Sequence, residues 1–209
     1  MPRAIHYRLI MTLPNSEEEP NGENSRARVA ERLRDIRRRK GLTIQEVATR
    51  SGLAISTVSK IERNLMAPTY DRFSRLAEGL GVDVSELFAA QGEQFAPGEF
   101  SLARVGDHSF HQTENYIYEM LFPHLRGKAM IPMLGTLKPF EQMRFDRLVS
   151  HDGEEFFFVL KGRVIVQLEG KDPVILETGE SIYFDSRRGH LYASAGDSDA
   201  RILCVCTKM

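Results

Sequence analysis

The chain has 209 residues, 42% of them hydrophobic and 27% charged, with a formal net charge of −1. Such a composition belongs to an ordinary soluble protein of one large or two small domains, and no stretch approaches the length of a membrane span. The chain's two cysteines, Cys204 and Cys206, lie two apart, a spacing that on one strand would strain a disulfide, so a disulfide framework is excluded and a reducing cytoplasm is expected.

The near-neutral total hides a division. Counted along the sequence, residues 26–90 hold 13 Lys and Arg against 8 Asp and Glu, whereas 91–209 hold 13 against 17. A basic module is fused to an acidic one.

In chain order, the opening MPRAIHYRLIMTL is not read as a signal peptide, because His6 and Arg8 break its apolar run and no small-residue cleavage site follows. Residues 14–25, PNSEEEPNGENS, are polar, acidic and rich in turn formers, and 1–25 are expected to be a flexible tail. From Arg26 the period is helical: Val29, Leu33 and Ile36 recur at three- and four-residue spacing, Gly41 ends the first helix, and Gly52, Pro68 and Gly81 punctuate further short ones. A helical domain over 26–90 is followed by a linker at 91–99, within the Gly- and Pro-containing stretch AAQGEQFAPGE. Beyond Phe100 the period becomes two. Runs at 116–122, 129–137, 155–162, 164–170, 181–185 and 200–206 predict strands, and with no helical pattern between them they imply an antiparallel sandwich or small barrel.

Residues 42–64, LTIQEVATRSGLAISTVSKIERN, carry helix-turn-helix geometry. Thr43 is the expected N-cap, Ala48 is small where two helices cross, and Gly52 permits the positive φ of a tight turn. Val58 and Ile61 pin the second helix to the core, leaving Ser56, Thr57, Ser59, Lys60 and Arg63 on or near an outer face suited to a major groove. Through GLT, EVA, SG, STVSKIER, P and LAEGLGVDVSELF, residues 29–88 resemble the phage-repressor (XRE-type) DNA-binding domain of five short helices. The resemblance implies that Ile55, Ser56, Thr57 and Lys60 read base edges, that Arg63 and Asn64 sit near phosphates, and that Arg37 and Glu62 form a buried ion pair. Ile44 departs from the pattern, standing where many members carry a phosphate-binding glutamine. Phosphate contacts supply affinity and salt dependence, base contacts supply sequence choice, and one domain offers too few of either, so a homodimer on a two-fold site in double-stranded DNA is expected.

In the acidic half, SHDGEEFFFVLKG spans 150–162. Strand residues of like parity share a face, so Val149, His151 and Glu155 can project inward, and His190 in GESIYFDSRRGHLYAS can meet them. Two imidazoles and a carboxylate form a facial triad suited to iron(II), manganese or nickel. This half resembles the cupin family across about 100–209, through His151, Glu155 and Gly162 in the first motif and Gly179 and His190 in the second. Val149 stands where a typical metal cupin has another histidine, and Gly189 where it has proline. The resemblance implies a double-stranded β-helix barrel with a divalent metal (iron, manganese, nickel or zinc) on His151, Glu155 and His190. Tyr116, Tyr118, Arg147 and Tyr183 are the expected effector-binding side chains, with Arg144 and Tyr192 as further inward candidates, and an arginine in the mouth favours a carboxylate or phosphonate. Cys204 and Cys206 read as small buried strand residues.

The expected fold class is α+β, multidomain: an all-α five-helix DNA-binding domain followed by an all-β cupin sensor domain at 100–209. The domain order resembles bacterial transcriptional regulators that bind DNA and a small-molecule effector. It also resembles hydroxypropylphosphonate epoxidase, a mononuclear iron(II) cupin enzyme, in which His151, Glu155 and His190 would hold iron. The exposed groove-reading helix and its basic domain favour the regulator.

Overall fold

The structure, a computed structural model, describes residues 22–82, 84–88, 93–144 and 147–207. Its first part contains α1 (Gly22–Arg39), α2 (Ile44–Ser51), α3 (Ile55–Glu62) and α4 (Tyr70–Leu80), followed by a 3-10 turn over Val84–Leu87. That turn occupies the place of the fifth helix. With Gly81 and β-branched Val82 before it and Val84 as its first residue, the four-residue segment is too short to nucleate an α-helix. The first helix begins at Gly22, inside the segment expected to be a tail, while residues 1–21 lie outside the described ones. Val29, Ala30, Leu33 and Ile36 bury one face of α1, and once that face is docked a further turn at its start costs little.

Local chemistry fixes the helix ends. After Arg39 the chain turns at Gly41, φ 67°, and Leu42 N–H donates to Arg37 O at 3.1 Å. Thr43 and Glu46 form a reciprocal capping box on α2, with N–H to side-chain oxygen distances of 3.1 and 2.7 Å, an arrangement worth about 1 kcal/mol. Gly52 then takes φ 63° between α2 and α3, where an added Cβ would lie 2.8 Å from Arg75 Nη2. Val47, Ala48, Val58, Ile61, Phe73 and Leu76 close the core against α1.

The second part is a barrel of two facing sheets. Its strands are β1 (Glu93–Gln94), β2 (Ser109–Gln112), β3 (Tyr116–Met120), β4 (Leu125–Arg126), β5 (Met130–Leu137), β6 (Glu154–Lys161), β7 (Val164–Leu168), β8 (Val174–Leu176), β9 (Ser181–Asp185), β10 (His190–Ser194) and β11 (Ala200–Thr207). A six-stranded sheet runs β2-β3-β5-β11-β6-β9 and a three-stranded one runs β10-β7-β8. Alternate residues of β11, from Ala200 to Cys206, face inward, and Phe157 of the large sheet meets Tyr192 of the small one with ring centroids 5.1 Å apart. Within the expected linker, residues 91–92 lie outside the described ones and Glu93–Gln94 pair in parallel with Leu125–Arg126.

The two parts are docked on one another, and their buried side chains form one hydrophobic cluster. Helix α1 lies against β2. From β2, the buried His111 donates Nε2–H to Pro68 O at 2.9 Å, and its ring meets Phe73 edge-on at 4.5 Å. Arg32 donates to Glu86 O at 3.0 Å, and Arg126 reaches the Glu86 carboxylate at 3.7 Å. No helix among the described residues is long and apolar enough to cross a membrane.

Burial, reinforced by the charge of Arg26 and only partly opposed by the Pro68 bond, lowers the His111 pKa to about 4. The unfolded chain therefore binds this proton more readily between the ordinary histidine value and about 4, and stability falls as pH falls through that window. His111 alone is expected to cost up to about 3 kcal/mol at the acid end. Urea midpoints measured across the window should fall more steeply for the wild type than for His111→Gln, and parallel curves would refute the assignment.

Candidate functional site

Two sites emerge, one on each part. On α3 the buried Val58, Ile61 and Glu62 face the core, while Ile55, Ser56 and Lys60 are exposed and Thr57 is half-buried. Arg63 is exposed just beyond the helix, with Nε donating to Ser59 O at 3.3 Å. Asn64 takes φ 58°, and its Oδ1 accepts a 2.7 Å bond from Arg26 Nε on α1, so Asn64 is anchored as well as placed near the outer face.

Three arginines of α1 hold this helix. Arg26 grips Asn64, Arg34 bonds Glu62 O, and Arg37 forms a two-pronged pair with the Glu62 carboxylate at 2.7 and 2.9 Å while also donating to Leu42 O at 2.9 Å. The Glu62 bond raises the Arg37 pKa despite desolvation. Orientation of the exposed face thus depends on α1.

In the barrel, the loop 150–153 folds over the end of β11, which is possible only because Gly153 (φ 98°) lacks a side chain: a Cβ would sit 2.3 Å from Thr207 O. His151 N–H bonds Ser186 O at 3.0 Å, and Val149 and His190 exchange backbone bonds at 3.0 and 2.9 Å. These bonds bring His151, Glu155 and His190 together. His151 Nε2 is 3.3 Å and His190 Nε2 3.7 Å from Glu155 Oε2, and all three side chains are buried. Each imidazole directs Nδ1 at a carbonyl, Asp152 O at 3.1 Å and Arg188 O at 2.9 Å. A carbonyl only accepts, so Nδ1 carries a proton in each ring and Nε2 is turned to the centre, the orientation of a metal-ligating histidine.

Burial pushes the Glu155 carboxyl up, but the His151 hydrogen bond and the charges of both histidines outweigh it and hold it below the usual carboxylate range. Burial pulls His151 down, and its bond and charge interaction with Glu155 more than reverse this. For His190 burial prevails and the pKa is lowered. Around the same carboxylate stand Cys204 Sγ at 3.4 Å and Cys206 Sγ at 3.7 Å, and donor atoms of His151, Glu155 and Cys206 lie within 4.8 Å of one another.

His151, Glu155 and His190 line a cavity of about 880 Å³ walled by both parts of the chain. Tyr116 and Tyr118 line it, with Tyr116 O–H donating to Tyr192 O at 2.8 Å, and burial raises both phenol pKa values so that they remain neutral donors. Arg147, Arg144 and Tyr192 also line it, Arg144 being set by paired bonds of 2.7 and 3.0 Å between its backbone and the Asn115 amide. Tyr183 does not. It is 62% exposed, because the β6–β9 register sets Phe184 across from inward Glu155 and Tyr183 across from Phe156, on the opposite face. From the helical part come Arg26, Met66, Tyr70, Asp71 and Arg72, none foreseen from the sequence. Their only local signal is a helix start after Pro68; the juxtaposition with the barrel is long-range.

Residues 33–87 match the helix-turn-helix family model and residues 141–206 the cupin domain model. The uncharacterized HTH-type transcriptional regulator RghRB of Bacillus subtilis is 32% identical over 110 residues, which cover 52% of this chain and 75% of the relative. The chain belongs to the helix-turn-helix transcriptional regulators. This regulator is also 25% identical over 180 residues to the HTH-type transcriptional regulator PuuR of Escherichia coli, covering 84% of one and 92% of the other. An HTH_3 family transcriptional regulator from Vibrio cholerae shares its fold, with a TM-score of 0.62 at 20% identity over 90% of this chain and 99% of that one. Hydroxypropylphosphonic acid epoxidase from S. wedmorenis matches more loosely, with a TM-score of 0.45 at 21% identity over 88% and 99% of the two chains.

Removing one partner of the Arg37–Glu62 pair strands a buried charge, so Arg37→Ala is expected to destabilise the regulator by about 3–5 kcal/mol. Chemical denaturation followed by far-ultraviolet circular dichroism checks this, and a loss below about 1 kcal/mol, the value of a surface pair, would show that the bridge does not hold α1 to α3.

Proposed function

We propose that the regulator reads a two-fold operator as a dimer in the cytoplasm, with 26–90 as the DNA-binding domain and 100–209 as a sensor of a small anionic effector. Ile55, Ser56, Thr57 and Lys60 would meet base edges, and Arg63 with Asn64 the adjoining phosphates. Lys60 and Ser56 have the chemistry for this: a mobile cation and a short hydroxyl on an exposed helical face.

The observation that carries the sensing reading is the double role of Arg26. Arg26 is one of the residues lining the cavity, and its Nε also holds Asn64 Oδ1 at the exit of the recognition helix, 2.7 Å away. A ligand that engages Arg26 therefore acts on the DNA-reading element through one side chain. Arg72, Arg144 and Arg147 add positive charge around the same cavity, which favours a carboxylate, phosphonate or phosphate group, while neutral Tyr116 and Tyr118 offer hydroxyls. At the barrel centre, the Nε2 atoms of His151 and His190 and the Glu155 carboxylate fit a divalent cation, which when bound would supply a positive anchor for effector oxygens. The triad by itself would serve an iron(II) enzyme equally, and it is the exposed face of α3 that favours regulation.

Lys60→Ala is expected to weaken operator binding and reduce the slope of log K against log salt by about one, without lowering the melting temperature. Lys60→Glu should abolish operator retention in fluorescence anisotropy. Unchanged affinity and salt slope in both variants would remove α3 from the DNA interface.

A further inference from the structure

We propose that the barrel centre is a mixed nitrogen, oxygen and sulfur site in which Cys206 supplies a thiolate, and that Tyr70 of the DNA-binding domain hydrogen-bonds to that sulfur. This rests on the reading of His151, Glu155 and His190 as metal-holding residues and adds a donor that the sequence pattern did not assign.

Three observations converge on Cys206. The first is register: in the β11–β6 pairing Cys206 stands directly across from Glu155, and both side chains point into the barrel. The second is spacing. Ligands held at about 2.0 Å (nitrogen, oxygen) and about 2.3 Å (sulfur) from one tetrahedral ion stand roughly 3.3 to 3.6 Å apart. The His151 Nε2–Glu155 Oε2 separation is 3.3 Å and the Cys206 Sγ–Glu155 Oε2 separation is 3.7 Å, and the three donors form one buried group. Cys204 faces the other carboxylate oxygen, Oε1, at 3.4 Å. The third is its surroundings: the Tyr70 ring packs edge-on against His151 at a centroid distance of 5.1 Å, which brings the start of α4 to the barrel centre.

The donor set has a chemical consequence. Val149 withholds the further imidazole of a typical cupin, and Cys206, grouped with His151 and Glu155, supplies a softer donor from the facing strand. One thiolate among imidazoles and a carboxylate selects zinc or cobalt(II) over magnesium or manganese. On binding, the Cys206 S–H bond is exchanged for a sulfur–metal bond and the proton leaves to bulk water, with no change in oxidation state. Tyr70 O–H then donates to a charged sulfur, and charge-assisted bonds are roughly twice as strong as neutral ones. Because Tyr70 is the first residue of α4, this bond ties the loaded barrel to the DNA-binding domain.

The test uses the full-length regulator, stripped with chelator and titrated with cobalt(II) and, separately, zinc. Cobalt should give a sulfur-to-metal charge-transfer band in the near ultraviolet that survives in Cys204→Ser and disappears in Cys206→Ser, and X-ray absorption of the zinc form should show a sulfur scatterer at about 2.3 Å. Tyr70→Phe should retain the ion and shift the band. Should Cys206→Ser not fold, the wild-type scatterer together with the Cys204→Ser spectrum decides the matter. Cobalt bound without the band or scatterer overturns the thiolate while leaving the histidine and glutamate centre standing. No uptake of either ion overturns both, and loss of the band in Cys204→Ser overturns the choice of Cys206.

Discussion

The docking of β2 and the barrel mouth onto the segment from Pro68 to Arg72 is the constraint on which the other features depend. It is made by a polar contact inside an apolar setting, His111 Nε2 to Pro68 O, with the Phe73 ring packed on the imidazole. Such a bond is worth most where its alternative is an unsatisfied buried group. Because it fixes the start of α4 over the barrel, Tyr70, Asp71 and Arg72 become part of a cavity that the cupin half also lines. Without that docking the cavity would be a barrel mouth open to solvent, and its contents would have no mechanical relation to α3.

The cluster around Glu155 is arranged for chemistry more than for stability. A carboxylate 1% exposed, flanked by two imidazoles and two thiols, is an expensive group to bury, and a buried ion pair of this kind gains little over well-packed apolar residues. Neighbouring positions show that the barrel supplies apolar packing where only packing is required: Phe157 and Val159, which share the inward face of β6 with Glu155, are fully buried hydrophobics. The polar cluster interrupts that pattern at one place. Its members are oriented by bonds that leave donor atoms turned inward, as the Nδ1 bonds of His151 and His190 to backbone carbonyls show.

Local rules made much of this legible. Thr43, Gly52, Val58 and Ile61 announced the helix pair because caps, tight turns and helical periodicity act over a few residues, and parity brought Glu155 to the inner face of its strand. Tyr183 shows where that reasoning stops. Its neighbour Phe184 competes for the same face, and only the pairing with β6 decides between them. Strand β10 is hard to read from the sequence because His190, Tyr192 and Ser194, which alternate with Leu191 and Ala193, do not form a solvent face: every residue of the strand is buried. The helical contribution to the cavity was illegible for a different reason: Arg26 and Tyr70 reach it through the docking of two domains, which no local period encodes. Gly22–Ser25 joined a helix rather than a tail because the docked face of α1 carries its first turn along.

On the proposed reading, the magnitude of regulation follows from how few bonds connect the two sites. A hydrogen bond to a charged group contributes about 1.5–3 kcal/mol, and coupling free energies between ligand sites typically lie at 1–3 kcal/mol. The single Arg26–Asn64 bond is therefore large enough to account for roughly a tenfold change in operator affinity, with no rearrangement of either core. Its sign depends on geometry at one guanidinium. An anion that draws Arg26 toward Arg72 and Arg147 releases Asn64 and loosens the exit of α3, whereas one that binds without displacing the bond stiffens it. Arg34 and Arg37 keep Glu62 fixed in either case, so the adjustment is confined to the end of the recognition helix. A contact to DNA made by Arg63 or Asn64 would feel it first, and Ser56, a full turn or more toward the start of α3, least.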